Sequence, residues 1–373
     1  MHGTLEQLLA TFDATAPALL AQHRLPGIAI AVLEGGELAA CRCYGHADVQ
    51  AGTPIDTSTR FNIASISKAV AAWGVLALHE AGKVDLDAPV DTYLSRWHLP
   101  ASDFDASAVT VRRLLSHTAG INLAGCSASL HDTPPAHLVD ILNGHVGPID
   151  PAQVAYSKVW DIPLDSYNVP VRLIEPPGTG YRYSGGGYLM LELLIEDITG
   201  RSFADYMAGT LFRPLGMSGA GFDPTPHAAM ATAHSHLGEP LGRYRTNGLA
   251  AGGMVCTIAD LATFALASMP GAAGEPAGRG VLRPETVALM HTPVVDAEHF
   301  GPLLLRYGLG HSITVGRNST AAGHTGGNLG WRSAFYVLPA HGKGIAMLLN
   351  GAAGNDVWQA LMRDWQAHAL ARG

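Results

Sequence analysis

Apolar residues recur along this chain with two different periods, and the change from one to the other divides it into three parts. Behind Thr4-Leu5-Glu6-Gln7, which reads as a capping box, Leu8, Leu9, Phe12, Leu19 and Leu20 fall at helical spacing and predict a helix to about Gln22. Gly27–Leu33 is an unbroken apolar run of strand length, and Glu34-Gly35-Gly36-Glu37 turns it into a second strand, Leu38–Tyr44. The far end has the same character, with predicted strands at Tyr307–Val315, Trp331–Leu338 and Gly344–Asn350 and a closing helix at Asp356–Leu370. Between these ends the signals are mostly helical. Capping patterns stand at Ser202–Asp205 and Thr257–Asp260, Gly200 is a C-cap glycine, and Leu189–Ile198 is an apolar helix.

A helical stretch of this length cannot be a loop on either strand pair. The pattern therefore predicts an α/β fold of the α+β type, in which both chain ends build one antiparallel sheet flanked by terminal helices. The expected units are residues 1–58 and 299–373 for the two parts of the α/β domain, and 59–298 for an inserted, mainly helical domain. A site would lie in the groove between the lobes, where pockets commonly form. Pro148–Tyr167 shows few helix signals and carries Tyr156, Trp160 and Tyr167; it reads as a packed surface loop first and a lid over the site second.

Composition narrows the function. The chain of 373 residues is 47% hydrophobic and 14% charged, which excludes disorder. With a net charge of −8 and no basic cluster beyond Arg112-Arg113 and Arg243/Arg245, nucleic acid and anionic membranes are not expected partners. The best candidate membrane span, residues 61–79, contains Lys68, so no span is expected. No secretory signal is visible and the cysteines Cys41, Cys43, Cys126 and Cys256 form no zinc or redox spacing; reduced thiols and a cytoplasmic location follow as expectations, with a processed exported form as the alternative. Nothing calls for a metal or cofactor, and nothing sets the oligomeric state.

The informative charge is Lys68, one of four lysines and the only charged residue between Arg60 and Glu80. A lone ammonium in so apolar a helix is costly unless something uses it. Ser65 lies three residues earlier, so hydroxyl and amine share one helix face. A desolvated lysine titrates low and takes a proton from a neighbouring hydroxyl, so the pair reads as a nucleophile with its own base. Taken alone, Ser-x-x-Lys is more often a helix cap with a snorkelling lysine. Two other segments have unusual chemistry: the turn-rich Pro176–Tyr188 and the glycine-rich Gly323–Asn328, which joins two predicted strands.

Together these segments resemble the penicillin-recognising serine hydrolases, a family of class C β-lactamases, D-alanyl-D-alanine carboxypeptidases, D-aminopeptidases and esterases. Their Ser-x-x-Lys is matched by Ser65-Ile66-Ser67-Lys68, and their Lys-Thr-Gly or His-Thr-Gly strand by His324-Thr325-Gly326. Leu114–Ile121, Pro214–Met217 and Ala251–Leu261 look like the family's structural signatures. The middle motif departs: Tyr183-Ser184-Gly185 keeps the tyrosine of Tyr-x-Asn but has no asparagine to hold a β-lactam side-chain amide. The resemblance implies a β-lactamase-like fold, Ser65 as nucleophile, Lys68 and Tyr183 sharing proton transfer, and an oxyanion hole from the N–H groups of Ser65 and Gly327. His324, Thr325, Gly326 and Gly185 would line the substrate site, with Tyr156 and Trp160 in the lid reading.

The function expected is a serine hydrolase cleaving an ester or amide, of esterase or D-amino-acid amidase/peptidase type, on a small ester, amide or peptide. An acyltransferase using the same site comes second; a β-lactamase and a non-catalytic binding protein come after it. Three motifs are set aside. His117-Thr118-Ala119-Gly120 mimics the third motif but reads as structural, Gly216–Ala220 falls one residue short of a nucleophile elbow, and His234/His236, with His227 upstream, read as a surface loop and not a zinc site.

Overall fold

The computed structural model describes residues 4–124, 128–130, 132–160, 162, 166–222, 229–300, 303–316 and 319–370. Cys126 and His227 lie outside them, as does the side chain of Trp160. Both chain ends build one antiparallel sheet, as the pattern predicts. Among the described residues it has nine strands, in the spatial order Thr53–Pro54, Glu37–Asp48, Gly27–Glu34, Lys343–Leu349, Trp331–Leu338, Thr320–Asn328, Ser312–Val315, Leu303–Tyr307 and Val295–Phe300. The first and last parts of the sequence meet at its centre, where Ile28 pairs with Leu349 and Leu33 with Gly344.

Strand Gly27–Glu34 reads as a continuous apolar run because both of its faces are covered. Ile28, Ile30 and Val32 face the terminal helices Leu5–Gln22 and Asn355–Ala369, packing with Phe12, Leu20, Leu361 and Trp365. Ala29, Ala31 and Leu33 face the helical side, in one core with Trp73, Phe264 and Phe335. On that side the helix Ile66–Glu80 is buried at every position from Ile66 to Leu76. A helix so enclosed cannot be amphipathic, which is why the run 61–79 looked nearly membrane-like. Among the described residues no helix is long and apolar enough to cross a membrane.

Three expectations need correction. Tyr307–Val315 is not one strand: Gly308–His311 turns between Leu303–Tyr307 and Ser312–Val315, with Gly310 at φ +75° and the Gly308 N–H donating to the His311 carbonyl at 2.9 Å. Gly323–Asn328 is not a connection but the body of strand Thr320–Asn328, whose glycines let the nucleophile's turn approach. The segment from Pro148 to Tyr167 contains a helix, Pro151–Trp160. Its start signal is Pro151 behind Asp150, whose Oδ1 accepts from the Ala152 N–H at 2.8 Å. Cys41, Cys43 and Cys256 are free thiols.

Candidate active site

The nucleophile's turn is built before its helix begins. Ala64 sits at φ +48°, a left-handed conformation that a residue with a Cβ adopts at a cost. Its neighbours hold it there: the Asn62 Oδ1 accepts from the Ala64 N–H at 2.9 Å, and the Ser67 hydroxyl donates to the Ala64 carbonyl at 2.6 Å. Ser67 Oγ in turn accepts from the Met254 N–H at 3.0 Å, tying the turn to the other side of the lobe. Ser65 follows at the N-cap position and makes no side-chain capping bond. Its hydroxyl is left to the Lys68 amine, which donates to it at 3.2 Å.

Lys68 is buried and does not snorkel; its Nζ also donates to the Ala251 carbonyl at 2.6 Å. That carbonyl belongs to a wide helical turn, Leu249–Gly253. The phenol ring of Tyr183 lies 4.8 Å from the amine, and that of Tyr188 5.7 Å, so the amine rests on two aromatic faces. Tyr183 enters from the segment preceding helix Gly185–Thr199, which Ser184 caps by accepting from the Gly187 N–H at 2.9 Å.

The third motif closes the crevice from the sheet. A Cβ on Gly326 would fall 2.3 Å from the Ile63 carbonyl oxygen and 2.2 Å from Ser333 Oγ, so glycine alone allows the strand to lie against the Ile63–Ala64 turn. This brings Gly326 against the turn that immediately precedes Ser65. Asn328 locks the strand to the helical side: its Nδ2 donates to Asn62 Oδ1 at 3.0 Å, Thr246 Oγ1 at 2.8 Å and the Gly252 carbonyl at 3.0 Å. Beyond Gly327, the Arg332 guanidinium donates to the Tyr156 hydroxyl at 3.2 Å and lies 5.5 Å from its ring. Tyr156 therefore borders the site from helix Pro151–Trp160.

His324 takes a different position from the substrate contact expected of it. Its Nδ1 donates to the Thr325 carbonyl at 2.5 Å, which leaves Nε2 to accept from the Tyr307 hydroxyl at 3.0 Å. Both ring nitrogens are occupied within the protein. Burial first, and the Lys68 charge second, push its pKa down to about 3, so the imidazole is neutral at pH 7. Gly185 opens helix Gly185–Thr199 and offers no side chain for a substrate amide.

His117, set aside on its sequence, lies inside the cluster. Its Nδ1 accepts from the Ser184 N–H at 3.1 Å, and its ring sits 4.4 Å from Tyr183, 4.9 Å from Tyr307 and 5.2 Å from Tyr188. Burial, then Lys68 and His324, hold its pKa well below the usual histidine value. The motif gave no hint of this, because the contact spans 67 positions in sequence. Glu192 on helix Gly185–Thr199 is buried as well. It is the only charged residue between Arg182 and Glu196, the same signal that singled out Lys68.

A cavity of about 530 Å³ is lined by Asn62, Tyr244, Thr246 and Trp331. Among the described residues no cluster of metal-ligand side chains occurs. His234 uses its Nδ1 on the Thr232 carbonyl at 2.9 Å.

A serine one turn from a buried lysine, faced by a tyrosine and a glycine-rich strand on this sheet, defines a serine hydrolase of the β-lactamase and penicillin-binding-protein type. The chain belongs to the beta-lactamase family, whose model matches residues 12–369. Penicillin-binding protein 4 of Amycolatopsis lactamdurans is 28% identical over 360 residues, covering 93% of this chain and 86% of that protein. Esterase EstB of Burkholderia gladioli is 31% identical over 242 residues, 62% of this chain and 56% of the esterase. In fold, the D-amino acid amidase of Ochrobactrum anthropi SV3 superposes with a TM-score of 0.73 at 22% identity, covering 98% of this chain and 99% of the amidase.

Proposed function

We propose that this serine hydrolase cleaves an ester or a D-amino-acid amide through an acyl-enzyme on Ser65. The observation that carries the reading is the Lys68 amine, fixed by the Ala251 carbonyl at 2.6 Å and set 3.2 Å from Ser65 Oγ. The hydroxyl attacks the substrate carbonyl carbon while its proton passes to the unprotonated member of the Lys68–Tyr183 pair. The carbonyl oxygen, now negative, is received by the N–H groups of Ser65 and Gly327, each such donor contributing about 3 kcal/mol. Collapse expels the alcohol or amine, which takes its proton from the pair through Tyr183. Water then attacks the acyl carbon by the same route reversed and frees Ser65.

The substrate class follows from what the site lacks. Gly185 has no amide to grip an acylamino side chain, and His324 is neutral with both nitrogens spent. Such a site favours a neutral ester or amide over a β-lactam carboxylate. The esterase and amidase among the related proteins agree with this reading.

The test is intact-protein mass spectrometry after incubation with p-nitrophenyl esters, D- and L-amino-acid amides and a cephalosporin. An adduct on Ser65 that turns over fastest from an ester or D-amide, and vanishes in Ser65→Ala, is the expected result. An adduct elsewhere, or turnover retained by Ser65→Ala, removes the acyl-enzyme. Fastest turnover of the cephalosporin removes the substrate assignment alone.

A further inference from the structure

The turn that anchors Lys68 is held from two sides. Lys68 Nζ takes the Ala251 carbonyl, while the carboxyl of Glu192 accepts the Ala250 N–H at 2.8 Å. One residue's N–H and the next residue's C=O are thus engaged by an acid and an amine. Glu192 lies on helix Gly185–Thr199, about two turns after its start, which Tyr183 precedes by two residues. One helix therefore delivers Tyr183 at its start and reaches the Lys68 anchor further along.

Glu192 interrupts an otherwise apolar stretch of its helix. Leu189, Met190, Leu191, Leu193, Leu194 and Ile195 around it are fully buried, and Glu192 itself is 3% exposed. A carboxyl there costs free energy that a leucine would avoid. Burial raises its pKa to about 8, opposed by the Ala250 and Leu249 N–H groups, so it is mainly a neutral acid at pH 7. Glu196 stands one turn along, and Arg96, His137 and Arg245 line the same cavity of about 300 Å³. Glu196 is engaged by Arg96 at 2.7 Å.

We propose that Glu192 is a positioning residue for the base: by holding the Ala250 amide it fixes the turn whose Ala251 carbonyl sets the Lys68 amine against Ser65. The proposal rests on the acyl-enzyme reading above. It assigns Glu192 no contact with substrate.

The experiment compares Glu192→Gln, which keeps an acceptor oxygen, with Glu192→Leu, which keeps the volume and removes it. Pre-steady-state acylation by p-nitrophenyl acetate is followed from pH 5 to 10, with folding checked by circular dichroism. Glu192→Leu is expected to acylate about 10- to 100-fold more slowly, with KM within about twofold and the pH limb assigned to the Lys68–Tyr183 pair displaced. Glu192→Gln is expected to stay within about threefold of the parent with that limb in place. If the leucine variant does not fold, Glu192→Asp, which withdraws the acid by one methylene, should show the slowed rate and displaced limb. A folded Glu192→Leu or Glu192→Asp with parental rate and limb overturns the proposal, as does an equal loss in Glu192→Gln with an unmoved limb. Absence of any Ser65 adduct in the parent protein would instead overturn the acyl-enzyme reading beneath it.

Discussion

The two walls of the crevice are assembled on opposite principles. On one, Ser65 and Lys68 come from a single helix, three residues apart, and their geometry is set by helical pitch and one backbone carbonyl. On the other, His117, Tyr183, Tyr307 and His324 come from four distant segments and are held by ring packing and three side-chain hydrogen bonds. The first wall is local except for the Ala251 carbonyl, which reaches Lys68 from 183 residues away. The second exists only once the sheet, the helical lobe and the loop at His117 are all in place. Substitutions should therefore act on chemistry alone in the first wall, and on chemistry and stability together in the second.

The sharpest test is Lys68→Met. It removes the amine from the first wall and leaves an apolar side chain in an apolar helix. Acylation of Ser65 should fall by about 10³-fold, the usual range for a lost proton acceptor, with thermal stability held because methionine keeps the volume. Acylation within tenfold of the parent would show that Tyr183 alone suffices, and would reverse the ranking of the walls. Gly326→Ala comes next, at the seam between them. Its Cβ meets two groups closer than any van der Waals contact allows, one of them the Ile63 carbonyl oxygen. A stability loss of about 1–3 kcal/mol by chemical denaturation and a much slower acylation are expected together. Gly327→Ala should be milder, because its new methyl group meets the ends of Arg332 and Tyr156, which can move.

The same local–distant divide explains what could be read from sequence. The capping boxes at Thr4 and Thr257, the C-cap at Gly200 and the strand Trp331–Leu338 were legible because each signal lies within a few residues. So was Ser65/Lys68. Helix Pro151–Trp160 was missed because its start signal is a proline, which also marks loops. Thr320–Asn328 was missed because its glycines answer to the turn at Ile63–Ala64 and not to strand propensity. His117 was illegible for the same reason: no local pattern reports that a histidine's nitrogen will accept a backbone N–H 67 residues away.

Acid should attack the buried histidines first, two of which stand in the second wall. Burial lowers the pKa of His117, His291, His311 and His324, to about 4 for His311 and about 3 for His324. In the unfolded chain each imidazole takes a proton near pH 6.5, so between about pH 6.5 and 4 the unfolded state binds more protons than the folded one. Stability is then full above pH 6.5 and is lost as the pH falls, by about 1.4 kcal/mol per pH unit for each such group. Denaturant melts at pH 7 and pH 5 should show that loss. A flat profile would mean that these rings are not held neutral. His117→Asn sharpens the point, since asparagine tolerates the left-handed φ of +58° but cannot pack on Tyr183. It should slow acylation by about tenfold and make the acid slope shallower.

The smallest effect is expected at Tyr156, where helix Pro151–Trp160 borders the site. Tyr156→Phe removes one hydroxyl that accepts from Arg332 at 3.2 Å, while the ring can stay against the guanidinium. Arg332 keeps its bonds to the Trp331 carbonyl at 2.7 Å and the Asn328 carbonyl at 3.2 Å, so the strand beside Gly327 has no reason to shift. The stability change should stay below about 1 kcal/mol, with kcat unchanged and KM moved by about twofold. A fall in kcat of more than about tenfold would carry a different meaning. It would place the Tyr156 hydroxyl among the groups that hold the oxyanion strand in register, and the crevice would then have a third wall, distant in sequence like the second and as sensitive as it to a single lost contact.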